Sequence, residues 1–368
     1  MGNSNGATNG NAHAARQAGL RYSSDEQAGI HRRRRGTNGF SYSNDRNQPV
    51  RNHATLDRIR SLAIPPAWTD VWISPHENGH VQATGRDARG RKQYRYHPAW
   101  TTAQEQSKYE RVVSFAKRLP KIRRRVARDL RKRGLPREKV LAAIVQLLEK
   151  SLIRVGNDEY ARANGSYGLT TMRDKHVQIR GSSIRFRFRG KSGIESDIEL
   201  ESPVLARIAR KCQELPGQEL FQYVAEDGHV VDVGSADVNE YLREIAGMEI
   251  SAKDFRTWAG TKLAAQVLEE FEDFDSNAAA KRNVTRAIER VASRLGNTRT
   301  VCRKCYVHPA VIEAYLDRSL VEVLKRRTEQ ELAGLSHLPA EEAAVLGLLQ
   351  GRLKQQLNGK RRRPRKHK

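Results

Sequence analysis

The spacing of apolar residues along the chain changes character several times. Between about residue 21 and residue 104, apolar positions come in short alternating runs broken by Gly and Pro, among them Asp70 to Ile73 and His80 to Ala83. Alternation of this kind predicts strands with one buried face, and so a small, mostly β amino-terminal domain. From about residue 105 the period becomes helical. Leu141, Ile144, Val145 and Leu148 share one helix face, with Pro136 suited to the first turn and the helix running towards Arg154. Alternation then returns in Val177 and Ile179, in Ile184, Phe186 and Phe188, and in Ile198 and Leu200. Three antiparallel strands follow from that pattern. The opposite face of the middle strand carries Arg185, Arg187 and Arg189, and the turn Gly190-Lys191-Ser192-Gly193 presents Lys191 at a mobile tip.

After about residue 203 the pattern reads helical throughout. Ser251 with Asp254 three residues on forms a capping-box variant, which puts Arg256 in the first turns of a helix. Val284, Ile288, Val291 and Leu295 lie on one face of another helix, and Gly296 suits the left-handed residue that ends it. Asn297 therefore sits just past a helix end. The expected fold class is α+β: a small β domain at 21–104 and a larger, mainly α catalytic domain at 105–357 holding a three-stranded antiparallel sheet. Residues 1–20, rich in Gly, Asn and Ala, cannot repay the entropy of ordering and read as a disordered tail. Residues 358–368 read as a flexible basic tail.

Charge narrows the partners. Lys and Arg number 67 against 42 Asp and Glu among 368 residues, a formal net charge of +25. Ten of those cations fall between Lys117 and Arg133. Such an excess favours a polyanion, because neutralising phosphates releases their counterions. Double-stranded DNA is the expected partner, and a non-enzymatic architectural DNA-binding protein is one reading that charge alone allows. No stretch approaches the roughly 20 apolar residues of a membrane span, and the start of the chain has neither a signal-peptide core nor a myristoylation site. With only Cys212, Cys302 and Cys305 as thiols, a cytoplasmic protein without disulfides is expected.

Two motifs fail on inspection. Gly190-Lys191-Ser192 has the end of a phosphate-binding loop, but the glycine required five residues earlier is Arg185. Cys302-Arg303-Lys304-Cys305 has the spacing of a zinc or redox pair, yet only His308 stands near as a further ligand, so no metal is expected. Without an ATP site, any bond cleavage that must later be reversed has to store its energy covalently.

The segment Gly85-Arg86-Asp87-Ala88-Arg89-Gly90-Arg91-Lys92-Gln93-Tyr94-Arg95-Tyr96 resembles the amino-terminal DNA-clamp motif of the type IB DNA topoisomerases of poxviruses and bacteria. Further matches follow in that family's order: Arg154-Val155-Gly156-Asn157 with Tyr160, Gly190-Lys191, Lys253-Asp254-Phe255-Arg256-Thr257, and Leu295-Gly296-Asn297-Thr298 followed by Tyr306. Together they span roughly residues 55 to 317. The resemblance implies that Tyr306 attacks a backbone phosphorus and forms a 3′-phosphotyrosine, that rotation of the free strand relaxes supercoils, and that the 5′-hydroxyl reseals the break without ATP, metal or any small-molecule cofactor. It also implies that Arg154, Lys191, Arg256 and Asn297 assist, that Gln93, Tyr94, Tyr96, Asn157, Tyr160 and Lys253 touch DNA, and that the enzyme is a nucleoid-associated monomer.

The residue types suit this chemistry. A phosphodiester gains negative charge as it becomes five-coordinate, so fixed donors stabilise that state more than the ground state. Two guanidiniums can hold both non-bridging oxygens. Lysine can protonate a 5′-oxygen that otherwise leaves poorly, and a phenol needs a positive field to become a good nucleophile. For Tyr94 and Tyr96, packing within the β domain rivals DNA contact. Two positions depart from the viral pattern: most members have His at the position of Asn297, where the bacterial branch has Asn, and viral members have Lys at the position of Asn157. The amide donates but does not titrate. The nearest rival, a tyrosine recombinase, usually has His three residues before the second arginine, where this chain has Lys253.

Overall fold

A computed structural model describes the chain over residues 12–36, 39–271, 274–325 and 338–361. Two compact units emerge, Met1–Tyr109 and Glu110–Lys368.

The first unit is built on a five-stranded antiparallel sheet. Strands β1 (Ile30–Arg35), β2 (Gly39–Asn44), β3 (Thr69–Ile73), β4 (Val81–Arg86) and β5 (Lys92–Tyr96) lie in the order β2-β1-β3-β4-β5. A short core of Ile30, Val71, Ile73 and Ala83 packs with Ile59, and Trp68 and Leu62 cover it. Strand β5 alternates with its polar residues inward: Gln93 and Arg95 are half-buried, while Lys92, Tyr94 and Tyr96 face solvent. The amino-terminal segment differs from expectation. Residues 12–17 form a helix (α1), and Ala15 and Leu20 are buried against Trp100. The disordered tail expected at 1–20 thus does not extend over 12–20, and 1–11 fall outside the described residues. Composition misled because the anchors are few and their partners distant in sequence. Tyr22 stacks on His80 with ring centroids 4.8 Å apart, and His80 meets Trp100 edge-on at 4.7 Å. The Ser23 N–H donates to His80 Nδ1 at 3.0 Å.

The second unit centres on α4 (Arg137–Ser151), where every residue from Val140 to Val145 is buried along with Leu147 and Leu148. A helix apolar on all sides belongs inside a core. Around it lie the three-stranded sheet β6 (Val177–Arg180), β7 (Ser183–Arg189) and β8 (Glu195–Glu201), in that order and antiparallel. Ile184, Phe186 and Phe188 face inward. The helices α6 (Pro203–Gln213), α7 (Ser235–Ala246), α8 (Ala252–Glu270), α9 (Asn277–Leu295), α10 (Arg299–Cys305) and α11 (Pro309–Leu316) complete the surround.

Three expectations are corrected. A hairpin of β9 (Gln222–Val224) and β10 (Val230–Asp232) interrupts the stretch read as wholly helical; strands of three residues leave no alternation to detect. The helix expected from about 105 is α3 (Pro98–Asp129), which starts earlier and runs through Pro120, with Leu119, Ile122 and Val126 buried on either side of that residue. Burial there outweighs the lost backbone hydrogen bond. Last, α13 (Ala340–Arg361) carries the start of the basic tail in helical form, and residues 362–368 fall outside the described residues. Helix α13 is held by its Glu342, which is nearly buried and accepts from both Nη atoms of Arg123 at 2.8 and 2.9 Å. Among the described residues no helix is long and apolar enough to cross a membrane.

Burial holds the pKa of His80 below its ordinary value of 6.5. The folded state therefore prefers the neutral ring, and the stability it contributes is complete above about pH 6.5 and is lost as the pH falls towards the folded value. Hydrogen-exchange protection factors over residues 12–23, taken relative to the intrinsic rate at each pH, should fall between pH 7 and pH 5, and His80→Phe, which stacks but cannot titrate, should remove that dependence. An equal fall in the variant would exclude His80 as the cause.

Candidate active site

Helix α4 ends where the site begins. Leu152 adopts a left-handed conformation with φ 59°, which turns the chain so that Arg154 leaves the core. The following segment is pinned by the Leu169 and Thr170 N–H groups, which donate to the Arg154 and Val155 carbonyls at 2.9 and 2.6 Å. Gly156 has φ +118°, and a Cβ there would lie 2.6 Å from Thr170 Oγ1, so only glycine fits. Arg154 Nη2 donates to Asn297 Oδ1 at 2.5 Å and reaches the Gly296 carbonyl at 3.4 Å. Gly296, at φ 57°, ends α9 as its sequence predicts, and this is what delivers Asn297 to Arg154.

Arg256 is deeper. It sits near the start of α8, where the Asp254 carboxylate accepts from the Ser251 N–H at 2.7 Å and from its hydroxyl at 3.1 Å. Only 4% of Arg256 is exposed. Its Nη1 donates to the Leu152 carbonyl, and Nη2 to the Leu295 carbonyl at 2.6 Å. Its Nε has no protein acceptor among the described residues. Burial depresses the guanidinium's pKa first, the neighbouring charge of Arg154 second, and Tyr306 opposes both.

Tyr306 follows α10 directly and caps it, its N–H donating to the Cys302 carbonyl at 2.9 Å. The ring lies against the Arg256 guanidinium, 5.2 Å from centroid to Cζ, and the residue is 9% exposed. Two residues missed from sequence hold it there. Thr261 Oγ1 approaches the Tyr306 carbonyl at 3.3 Å and accepts from the His308 N–H at 3.1 Å. Gly260 lies so close that a Cβ would meet the Tyr306 carbonyl oxygen at 2.6 Å. A glycine in the interior of a long helix is costly without a packing reason, and that was the available signal.

Arg154, Arg256 and Lys191 line one cleft of about 360 Å³, together with Gly190, Leu295 and Gly296. Asn297 and Tyr306 are not on its wall but attach to it, through Arg154 and Arg256 respectively. Lys191 is exposed on the turn between β7 and β8. Lys253, Asn157 and Tyr160 are exposed in the same unit; Asn157 also caps α5 (Asp158–Asn164), its side chain accepting from the Tyr160 N–H. In the first unit, Tyr94 and Tyr96 are 44% and 46% exposed and stack on each other at 5.7 Å, so neither ring is core. The Gln93 amide is engaged by Asp87 at 3.0 Å. Cys302 and Cys305 are free thiols, and burial pushes Cys302 up to about 11, far from thiolate chemistry at neutral pH. Among the described residues no group of three or more candidate ligands could hold a metal ion.

The profile of the eukaryotic DNA topoisomerase I catalytic core matches residues 97–332, and that of the bacterial DNA topoisomerase IB N-terminal domain matches residues 39–87. The chain belongs to the type IB DNA topoisomerases. It is 34% identical over 294 residues to DNA topoisomerase 1B of Acanthamoeba polyphaga mimivirus, covering 78% of this chain and 87% of that protein. DNA topoisomerase 1B of Vaccinia virus (strain Copenhagen) is 21% identical over 312 residues, covering 80% of this chain and 93% of the viral one. DNA topoisomerase 1 of Mycosarcoma maydis is 25% identical over 252 residues, which is 62% of this chain and 24% of the fungal protein. As a type IB enzyme the protein relaxes supercoiled DNA without ATP, by transient cleavage of one strand through a 3′-phosphotyrosine and religation. The recombinase and architectural readings are thereby set aside.

Because the Tyr306 backbone must shift to admit any side chain at position 260, Gly260→Ala should slow relaxation by this topoisomerase about 100-fold, the usual scale for misplacing a reacting group by 1 Å. Plasmid relaxation compared with thermal melting checks this. Wild-type rates in a folded variant would show that the contact does not set the position of Tyr306.

Proposed function

We propose that Tyr306 is the residue this topoisomerase joins to DNA, assisted by Arg154, Arg256, Asn297 and Lys191. In this reading Tyr306 Oη gives up its proton to solvent and attacks the scissile phosphorus, the P–O bond to the 5′-oxygen breaks, and Lys191 Nζ gives that oxygen a proton. Resealing reverses each step. Arg154 and Arg256 donate to the non-bridging oxygens as their charge rises, and Asn297 holds Arg154 in place while offering a neutral amide. The observation that carries the reading is the buried Arg256, which lies against Tyr306 and whose Nε has no protein acceptor among the described residues. A buried donor left without an acceptor costs about 1–3 kcal/mol, so its retention at a reactive site argues for a substrate oxygen.

Gln93, Tyr94, Tyr96, Asn157, Tyr160 and Lys253 contact the duplex in this reading. Exposure of the two stacked tyrosines and of Tyr160 supports it, since aromatic faces can pack on sugars and bases. Gln93, held by Asp87, has the least to offer. The domain at 21–104 supplies duplex contacts and that at 105–357 the chemistry. The enzyme works as a cytoplasmic, nucleoid-associated monomer without metal or small-molecule cofactor.

Relaxation of a plasmid in EDTA, followed by mass spectrometry of a trapped adduct, tests the assignment. The DNA should be attached to the peptide containing Tyr306, and Tyr306→Phe should bind duplex normally but form no adduct, because only the hydroxyl is lost. An adduct on another side chain would overturn the proposal.

A further inference from the structure

Three arginines project from the outer face of β7, and two of them share one carboxylate. Arg185 donates to Asp197 from Nε and Nη2, both at 2.7 Å, and Arg187 Nε donates to the same carboxylate at 3.1 Å. The third, Arg189, stands opposite Glu195 in the strand register. Among the described residues its guanidinium nevertheless forms no ion pair. It lies over the Lys191 turn instead: a Cβ on Gly193 would come within 3.0 Å of Arg189 Nη2 and 3.3 Å of its Nε.

The turn beneath it is well defined in backbone and unsupported in side chain. The Gly190 N–H donates to the Ile194 carbonyl at 2.7 Å, and the Gly193 N–H to the Gly190 carbonyl at 3.1 Å. Ser192 and Gly193 hold φ of 66° and 75°. Lys191 itself is exposed, with no hydrogen bond or ion pair among the described residues. A long, unrestrained side chain has many rotamers, and a proton donor must be placed within hydrogen-bond reach of its acceptor. Whatever fixes Lys191 must therefore come largely from the DNA. Among the described residues Arg189 is the outward arginine of β7 without an ion-pair partner, it lies beside the turn, and its forked donors match a phosphate.

We propose that Arg189 is a positioning residue for Lys191: it anchors the turn to a DNA phosphate flanking the scissile one and so sets the Lys191 ammonium over the leaving 5′-oxygen. The inference rests on the reading of Lys191 as the general acid. Its effect belongs to the cleavage step, because once DNA saturates the protein an anchor of this kind changes the geometry of proton transfer and not the occupancy.

The test uses the full chain, saturating over two duplexes that differ only in the leaving atom, one with the normal 5′-oxygen and one with a 5′-bridging sulfur that needs no proton. Arg189→Gln should cleave the oxygen duplex about 10- to 100-fold more slowly than wild type, in keeping with the cost of a misplaced catalytic group, and should cleave the sulfur duplex at close to the wild-type rate. Adding Arg189→Gln to Lys191→Ala should slow the oxygen duplex no further, since residues acting as one unit are not additive. Equal slowing on both duplexes, additive losses in the double variant, or a loss confined to affinity would each overturn the inference. The same experiment separates the two layers. If sulfur fails to rescue Lys191→Ala, the general-acid reading falls and the inference with it; if sulfur rescues Lys191→Ala but not Arg189→Gln, only the inference falls. A wild-type melting temperature for Arg189→Gln, expected for an exposed side chain, excludes unfolding as the cause.

Discussion

The site depends on a buried cation that is held without a counter-ion among the described residues. Arg256 is surrounded by protein, and bringing an isolated charge out of water costs several kcal/mol. The usual solution is a carboxylate, but that would cancel the charge that an anionic substrate needs. Here the donors go to the carbonyls of Leu152 and Leu295. Leu152 caps α4 and Leu295 is the last residue of α9. Carbonyls at helix C-termini lack intrahelical partners and carry the negative end of the helix dipole, so they satisfy the guanidinium while leaving a net positive charge facing the cleft. The ends of both helices are thus fixed by the same residue that we propose receives the substrate phosphate.

The consequences spread outward from that arrangement. Ending α9 with Gly296 frees the Leu295 carbonyl and also delivers Asn297 to Arg154. Turning the chain at Leu152 frees the second carbonyl and brings Arg154 out beside Arg256. The charge of Arg154 adds to burial in lowering the affinity of Arg256 for its proton, and two like charges side by side favour the arrival of an anion between them. Tyr306, pressed against Arg256 by Gly260 and Thr261, shares the same field. No part of this constellation can be moved without disturbing a helix terminus.

How far the sequence could be read follows from the same logic. The three strands of the catalytic sheet, the Ser251 and Asp254 start of α8 and the Gly296 stop of α9 were legible because each rests on local signals: alternation, a capping pair, a left-handed glycine. The approach of Arg154 to Asn297 and of Arg256 to Tyr306, and the cleft that Arg154, Arg256 and Lys191 share, could be anticipated only through resemblance, since they depend on contacts between residues distant in the chain, some 140 positions apart in the bond from Arg154 to Asn297. What escaped notice had no local signature. Ala15 and Leu20 are ordered by Trp100, far along the chain. The β9–β10 hairpin is too short for a period to show. Gly260 and Thr261 look unremarkable in a row of residues, and they matter because the backbone of Tyr306 passes over them.

The site also divides its cations by rigidity. Arg154 and Arg256 are locked by protein acceptors before DNA arrives, which suits groups that must stabilise charge at a fixed place with little reorganisation. Lys191 is exposed on a turn with no protein partner among the described residues, which suits a group that must donate a proton in cleavage and recover it in resealing. A lysine locked as tightly as Arg256 would spend its donors on carbonyls and have none to give. Freedom at Lys191 has its own cost, because an unrestrained side chain spends little time in the reactive geometry. A cation beside it that meets the DNA backbone would remove that cost only when substrate is present, and so the neighbouring strand's unpaired arginine acquires a reason to remain unpaired.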